Sequence, residues 1–233
     1  MDDIDPFHSK SLIYCSYNSP EDDDFFHSIQ SDPVAFINSC PSIQRPADRR
    51  FTETIRKYLL ENSLLFTVIY ISVKEPGIQI RKASKEGKRN DEDTYVNPGP
   101  IKREPIGTMF LKLSSPDLAH HRCSELGIDI KREYRGQGYG TEAINWALDW
   151  AFRNAGLHRV ELNVLGWNSR AKKLYERIGF REEGRRRECL FKDDKWWDEV
   201  HMGILRKEWE QIRQIELKLP ECVTSDARTP HVD

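Results

Sequence analysis

The glycine-rich stretch REYRGQGYGTEAI, at residues 132–144, constrains this chain more than any other feature of its sequence. Gly136, Gly138 and Gly140 stand at alternate positions, after an apolar run and before an amphipathic pattern. Glycine tolerates positive φ and lets the backbone come close to a ligand. A helix N-terminus presents unpaired N–H groups at the positive end of its dipole. The order strand, glycine turn, helix therefore predicts an anion-binding backbone, with Arg135 as a cation suited to phosphate oxygens.

Two common phosphate-binding motifs do not fit this turn. The dinucleotide fingerprint needs a glycine three residues after its second glycine, and this chain has Thr141 there. The Walker motif needs Gly-Lys-Ser/Thr, whereas Gly140 is followed directly by Thr141. The residues themselves are also consistent with a second interpretation, in which the glycine-rich turn only begins a helix and binds no anion.

Two linked motifs resemble the GCN5-related N-acetyltransferase (GNAT) superfamily. Arg135, Gly138 and Gly140 fit the Arg-x-x-Gly-x-Gly acyl-CoA loop of that superfamily. Its Asn-x-x-Ala-x-x-x-Tyr-x-x-x-Gly-Phe pattern is matched by Asn168, Ala171, Tyr175, Gly179 and Phe180. The later EEGRRRECLFKDDKWWDEVHMGILRKEW is similar to the branch that includes ribosomal-protein N-terminal and polyamine acetyltransferases. The specific resemblance covers about residues 123–209, and the N-terminal third matches only in its order of strand and helix.

The resemblance implies an α+β (mixed α/β) fold: a strongly bent mixed β-sheet, with a splay between its fourth and fifth strands, flanked by helices. Hydrophobic periodicity independently predicts strands over residues 10–17, 64–73, 105–113, 123–131 and 158–166. We expect residues 1–218 to form a single domain, with a flexible charged insertion at 81–104. Residues 219–233 are predicted to be a flexible tail.

The resemblance further implies an acetyl-CoA-dependent N-acetyltransferase in which a primary amine attacks the thioester directly in a ternary complex. The backbone of Ile128 and Ile130 would pair with the pantetheine arm like an added strand. The pyrophosphate would bind backbone N–H groups of residues 136–141. The predicted cofactor-binding residues are Ile128, Ile130, Arg135, Gly136, Gln137, Gly138, Tyr139, Gly140, Thr141, Asn168 and Tyr175.

Acetyl transfer to an amine needs a neutral amine, a polarised carbonyl and a stabilised thiolate. Tyr175 matches the family tyrosine near the sulfur and is the candidate acid, although core packing would also explain it. Glu125 and Asp129 share one face of a strand by alternation, and either one, or water, could serve as the base. Glu125 and Asp129 could instead be charges at a strand end without a catalytic role. Asn168 could touch the CoA arm or serve only as a helix N-cap.

Composition and charge limit the classes of molecule that this protein is expected to bind. A formal net charge of −2 and a pI near 6.4 argue against nucleic acid. The sequence has no apolar stretch long enough for a membrane span. The N-terminus is acidic and polar, unlike a secretory signal, and the five cysteines are scattered, so we expect a cytoplasmic protein, with the nucleus not excluded. His120, His121 and Cys123 do not have a zinc-site spacing, so no metal is predicted.

Several alternatives stay open at this stage. The acceptor could be a small-molecule amine or a peptide or protein amine, and the protein a monomer or homodimer. A rival function is a non-catalytic acyl-CoA-binding or regulatory protein on the same fold. A nicotinamide-dependent oxidoreductase is a more distant alternative, because the third glycine of its fingerprint is missing.

Overall fold

The computed structural model describes residues 5–74 and 101–213. Its strands are β1 (Leu12–Ser16), β2 (Ser63–Lys74), β3 (Ile101–Lys112), β4 (Cys123–Ile130), β5 (Arg159–Leu165), β6 (Arg181–Lys192) and β7 (Lys195–Leu205). Its helices are α1 (Asp23–Gln30), α2 (Pro33–Ser39), α3 (Arg49–Asn62), α4 (Tyr139–Asp149), α5 (Ser169–Ile178) and α6 (Arg206–Ile212). One π-helical turn, Trp150–Asn154, extends α4, and short 3₁₀ turns lie at Pro116–His121 and Arg132–Tyr134.

The strands form one mixed sheet in the order β1-β2-β3-β4-β5-β7-β6. Neighbouring strands are antiparallel except β4 and β5, which are parallel. That parallel pairing is short: it joins Cys123, Ser124 and Glu125 of β4 to β5 and stops there. The rest of β4 runs free of β5, so the predicted mixed sheet with a splay between the fourth and fifth strands is confirmed.

The predicted insertion at residues 81–104 is wrong at its C-terminal boundary. Strand β3 begins at Ile101, and its first residues pair with the end of β2, Glu104 opposite Ile71 and Ile101 opposite Lys74. The apolar run in β2 offers a row of backbone partners, and these ladder hydrogen bonds outweigh the charged composition of Lys102, Arg103 and Glu104. The remaining insertion, residues 81–100, and the predicted tail lie outside the described residues.

Helix α2 was not predicted. Asp32 precedes it as N-cap and accepts a hydrogen bond from Val34 N at 2.9 Å, while Pro33 occupies the first helical position. This is a well-formed helix start in a segment too short to show clear periodicity. Its position matters, because α2 covers the cavity described below.

Helices pack on both faces of the sheet. The larger core lies against α4 and its π turn, with Met109, Ile144 and Phe152 fully buried. A smaller core on the other face joins Phe26 of α1 and Leu59 of α3 to Val68 of β2. Over residues 5–74 and 101–213, no helix is both long and apolar enough to cross a bilayer.

Candidate active site

A cavity of about 950 Å³ opens where β4 and β5 separate, and helices α2, α3, α4 and α5 close its sides. Most of the site residues predicted from the sequence lie on this one surface. The predicted residues that line the cavity are Glu125, Ile128, Asp129, Ile130, Arg135, Gly136, Gly138, Gly140, Thr141, Asn168 and Tyr175. Gln137 and Tyr139 are not part of its described lining: Gln137 Nε2 donates to Glu133 O, and Tyr139 packs near Tyr134.

The β4 edge that faces the splay carries unpaired backbone groups. Lys131 N donates to Ile106 O of β3 at 2.8 Å, and Thr108 stands opposite Asp129. Backbone groups of successive residues in a strand point to opposite edges. The N–H and C=O groups of Ile128 and Ile130 therefore point away from β3 into the splay. An extended ligand can pair with the groups of Ile128 and with the N–H of Ile130, whereas Ile130 O accepts from Arg135 Nε.

The glycine turn has the geometry of an anion cradle. Gly136 and Gly138 have φ of +82° and +93°, a region that L side chains rarely adopt, and Gly138 is the N-cap of α4. The first backbone hydrogen bond into this helix runs from Glu142 N to Gly138 O. The N–H groups of Tyr139, Gly140 and Thr141 have no backbone acceptor within the described chain, as expected for the first turn of a helix.

Arg135 is engaged by protein groups in this structure. Its Nε donates to Ile130 O at 2.7 Å, and its Nη2 lies 3.2 Å from Asp32 Oδ2. Asp32 also pairs with Arg132 at 3.3 Å. Burial opposes ionisation of Asp32, but backbone N–H donors and the two arginines outweigh it, so the pKa of this carboxyl is lowered and it stays charged. The N-terminus of α2 is thereby joined to the glycine turn.

Arg170, a residue that the sequence reasoning did not select, also lies at the glycine turn. It lines the cavity from the first turn of α5, and a Cβ placed on Gly136 would lie 3.0 Å from its Nη2. Nothing in its local sequence distinguishes it from the neighbouring basic residues of α5. Only the packing of α5 against the turn identifies it.

Tyr175 and Asp129 lie together in the cavity. Burial raises the pKa of Tyr175 to about 12, and the negative charge of Asp129 adds to the rise. Burial also raises the pKa of Asp129, against the opposing effect of the Arg135 guanidinium. The Tyr175 hydroxyl has no hydrogen-bond partner within residues 5–74 and 101–213, although its ring packs edge-on against Phe180. Tyr175 is thus a protonated hydroxyl available to a ligand.

A second cluster of polar side chains surrounds Glu125. Lys112 Nζ lies 3.6 Å from Glu125 Oε2, and Asn163 Nδ2 lies 3.4 Å from Oε1. Asn163 also contacts His201 Nδ1, at 2.7 Å, through its side-chain oxygen. Asn163 and Glu199 line the cavity too, and neither was predicted from sequence, because they come from the separate strands β5 and β7.

Asn168 caps α5, as one of the two sequence interpretations expected. Its side-chain oxygen accepts from Ala171 N at 3.1 Å, and its Nδ2 donates to Asn38 O at 3.0 Å. The adjacent Trp167 Nε1 donates to Ile37 O at 2.9 Å. These two donors hold the C-terminal end of α2 against the cavity rim.

Comparison with known proteins agrees with this geometry. The family model described as the Acetyltransferase (GNAT) family matches residues 65–180, which include β2 to β5, the glycine turn and α5. The chain belongs to the GNAT family. Its mixed sheet and its splay between β4 and β5 are those that the GNAT resemblance implied.

Curated relatives of this GNAT chain include both kinds of enzyme that the predicted branch contains. Spermidine N(1)-acetyltransferase of Vibrio cholerae is 38% identical over 89 residues, which are 38% of this chain and 51% of that protein. The [Ribosomal protein uS5]-alanine N-acetyltransferase of Escherichia coli is 32% identical over 89 residues, 38% of this chain and 45% of that one. The chain spans about half the length of the curated relatives that it matches.

Solved GNAT structures share the fold across most of this chain. The spermidine N-acetyltransferase of Vibrio cholerae in complex with CoA and spermine superposes with a TM-score of 0.61 at 24% identity, covering 86% of this chain and 99% of that one. A GNAT acetyltransferase of Bacillus anthracis gives a TM-score of 0.61 at 17% identity, covering 87% and 99%. At these identities the likeness shows the fold.

The residues of this GNAT chain fit an acyl-CoA. The splay-facing backbone of Ile128 and the N–H of Ile130 suit a chain with amide groups, and the amides of the glycine turn suit a pyrophosphate. A Cβ on Gly138 would meet nothing within 4 Å, so open space adjoins the backbone there. The same cavity is lined by this turn, by Tyr175 and by Glu125.

Proposed function

We propose that this protein is an acetyl-CoA-dependent N-acetyltransferase that transfers an acetyl group to a primary amine by direct attack in a ternary complex. The observation that carries the proposal is one continuous cavity. It joins the amides of the glycine turn to a free strand edge, a protonated tyrosine and a group of carboxylates. Each of these four features meets one requirement of the reaction.

The turn and the strand edge hold the cofactor, which supplies an activated thioester. Ile128 and Ile130 orient the pantetheine arm through their backbone groups, and the first turn of α4 binds the pyrophosphate. This two-point attachment places the acetyl group beside Tyr175 and makes the following step effectively unimolecular.

The carboxylates prepare the amine. A free lysine-type amine has a pKa near 10.4, so deprotonating it at pH 7 costs roughly 4–5 kcal/mol. Burial raises the pKa of Asp129, which makes it a better proton acceptor than an ordinary aspartate. Glu125, held by Lys112 and Asn163, orients the incoming amine. Asp129, directly or through water, then takes the proton.

Tyr175 stabilises the departing thiolate. With a pKa of about 12 its hydroxyl keeps its proton at neutral pH, so it donates a hydrogen bond and cannot act as a base there. A cysteine-like thiol is the stronger acid, with a pKa near 8.5. Tyr175 therefore acts by hydrogen bonding to the sulfur as negative charge develops on it.

The acceptor is a cationic primary amine. Glu125, Asp129 and Glu199 line the cavity and favour a positively charged substrate in solution. Both small amines and protein N-termini meet this requirement, and the relatives include enzymes named for each. We favour a small amine, because α2 covers the cavity and leaves less room for a protein chain.

The test is release of CoA thiol from acetyl-CoA in the presence of amines. Spermidine and a peptide with an N-terminal alanine are the first acceptors to compare, with NAD binding measured alongside. We expect acetyl-CoA to bind in preference to NAD, and amine-dependent thiol release. Tight CoA binding without turnover on any amine would instead favour a non-catalytic acyl-CoA-binding protein.

A further inference from the structure

We infer that Arg170, and not Arg135, is the arginine that binds the pyrophosphate of the cofactor. The inference rests on the proposed function, since it concerns the phosphates of the proposed cofactor. It departs from the expectation that the arginine of the Arg-x-x-Gly-x-Gly loop serves this purpose.

Arg135 already has two protein partners. It donates to Ile130 O at 2.7 Å and forms an ion pair with Asp32 at 3.2 Å. The Asp32 carboxylate is mostly buried, with 17% of its side chain exposed, and Arg135 is 27% exposed. Turning Arg135 toward a phosphate would leave a buried carboxylate with only Arg132, which is 60% exposed, as its cationic partner.

Arg135 therefore has a structural task. Asp32 is the N-cap of α2, and α2 covers the cavity, so the ion pair holds that helix in place from its N-terminal end. The hydrogen bonds from Trp167 and Asn168 hold its C-terminal end. Loss of Arg135 should loosen α2 on the acceptor side.

Arg170 has the position and the freedom that Arg135 lacks. Its Nη2 would be 3.0 Å from a Cβ on Gly136, so the guanidinium lies directly at the turn. Leu174, one helical turn later in α5, would be 3.9 Å from a Cβ on Gly140, so the same helix face follows the turn. Arg170 is exposed, and no hydrogen bond or ion pair engages it in the part of the chain that the structure describes.

A guanidinium at this position suits a pyrophosphate. Its planar fork matches two phosphate oxygens, and it lies on α5 at the turn that leads into the α4 amides. The backbone and Arg170 would then enclose the phosphates between two helices. Arg170 adds charge without disturbing the Arg135–Asp32 pair.

Calorimetric titration of the full chain with CoA tests the assignment. We expect R170Q to weaken CoA binding roughly tenfold or more, because a charge-assisted hydrogen bond is lost. K173Q, an exposed control on the same helix, should stay within about twofold of wild type. R135Q should stay within about threefold for CoA while raising the KM for the amine. Thermal unfolding of each variant checks that it is folded.

Titration with 3′-dephospho-CoA identifies the phosphate. Equal losses for CoA and 3′-dephospho-CoA in R170Q support the pyrophosphate, whereas a loss confined to CoA overturns that assignment in favour of the 3′-phosphate. The inference is also overturned if R135Q loses as much CoA affinity as R170Q, or if D32N, which keeps a good N-cap, tightens CoA binding tenfold. A wild-type protein that binds no CoA at all would refute the proposed function itself, and this assignment with it.

Discussion

At the scale of single residues, burial raises the pKa of both Tyr175 and Asp129, with different chemical consequences. It keeps the tyrosine protonated and therefore a donor, and it makes the carboxyl a stronger base. We expect Tyr175→Phe to keep its packing against Phe180 and to lower kcat by roughly 10²–10³-fold, with CoA affinity little changed, because one hydrogen bond to the developing thiolate is lost. Rapid-quench kinetics would measure this, and a rate within about threefold of wild type, with chemistry rate-limiting, would remove Tyr175 from the mechanism.

Asp129 should carry a cost in stability. The pKa of Asp129 in the folded protein lies above its value in the unfolded chain. Below the unfolded pKa the carboxyl is protonated in both states and does not oppose folding, and the protein loses stability as the pH rises through the folded pKa. Asp129→Asn should therefore raise the free energy of unfolding at pH 7.5, on the order of 1 kcal/mol, and bring little gain at about pH 3. Urea unfolding at both pH values, with the exposed Asp117→Asn as control, checks this. A destabilised variant at neutral pH would contradict it.

At the scale of elements, the α4 N-terminus depends on a backbone that only glycine adopts readily. Gly138 has φ of +93° and lies in open space at the cavity, whereas Gly156 has φ of +64° and lies in open space away from it. Alanine at either position should cost about 1 kcal/mol of backbone strain. Only Gly138→Ala should also weaken CoA binding, roughly tenfold, because its methyl group stands where the phosphate approaches. Equal CoA affinities for the two variants would show that the phosphate does not touch Gly138.

At the scale of the whole molecule, the carboxylate of Glu142 joins the segment before β1 to helix α4. Glu142 of α4 accepts from Ser9 Oγ and Ser11 N, each at 2.6 Å, and from Ser11 Oγ at 2.5 Å. Tyr14 of β1 stacks on Trp146 of α4 with ring centroids 3.7 Å apart. The N-terminal residues are thus part of the platform that carries the glycine turn.

Glu142→Gln tests this connection. Burial opposes ionisation of Glu142, but the hydrogen bonds from Ser11 and Ser9 outweigh it and lower the pKa. Their stabilisation is present above the unfolded pKa and is lost as the pH falls through the folded pKa. The variant should lose about 1–2 kcal/mol at pH 7 and little in strong acid. Urea unfolding should show no such loss for Glu133→Gln, an exposed control, and equal behaviour of the two variants would refute the connection.

Sequence alone determined the features that depend on local spacing. The alternate glycines before an amphipathic pattern predicted the turn and α4, and the helical spacing of Ala171, Leu174, Tyr175 and Ile178 predicted α5. Strand alternation put Glu125 and Asp129 on one face. Hydrogen bonds within a helix, and the two-residue period of a strand, act over a few residues, so a single stretch of chain is sufficient to reveal them.

Tertiary structure alone decided which distant side chains meet at the cavity. Arg135 and Asp32 are 103 residues apart in the chain, and Glu125 and Asn163 are 38 apart. Arg170 reached the glycine turn because α5 packs beside α4, and α2 reached the cavity because side chains from the β5–α5 loop hold its carbonyls. Such pairings follow from how the sheet and helices pack around the shared core, and that packing depends on the whole chain rather than on any short segment.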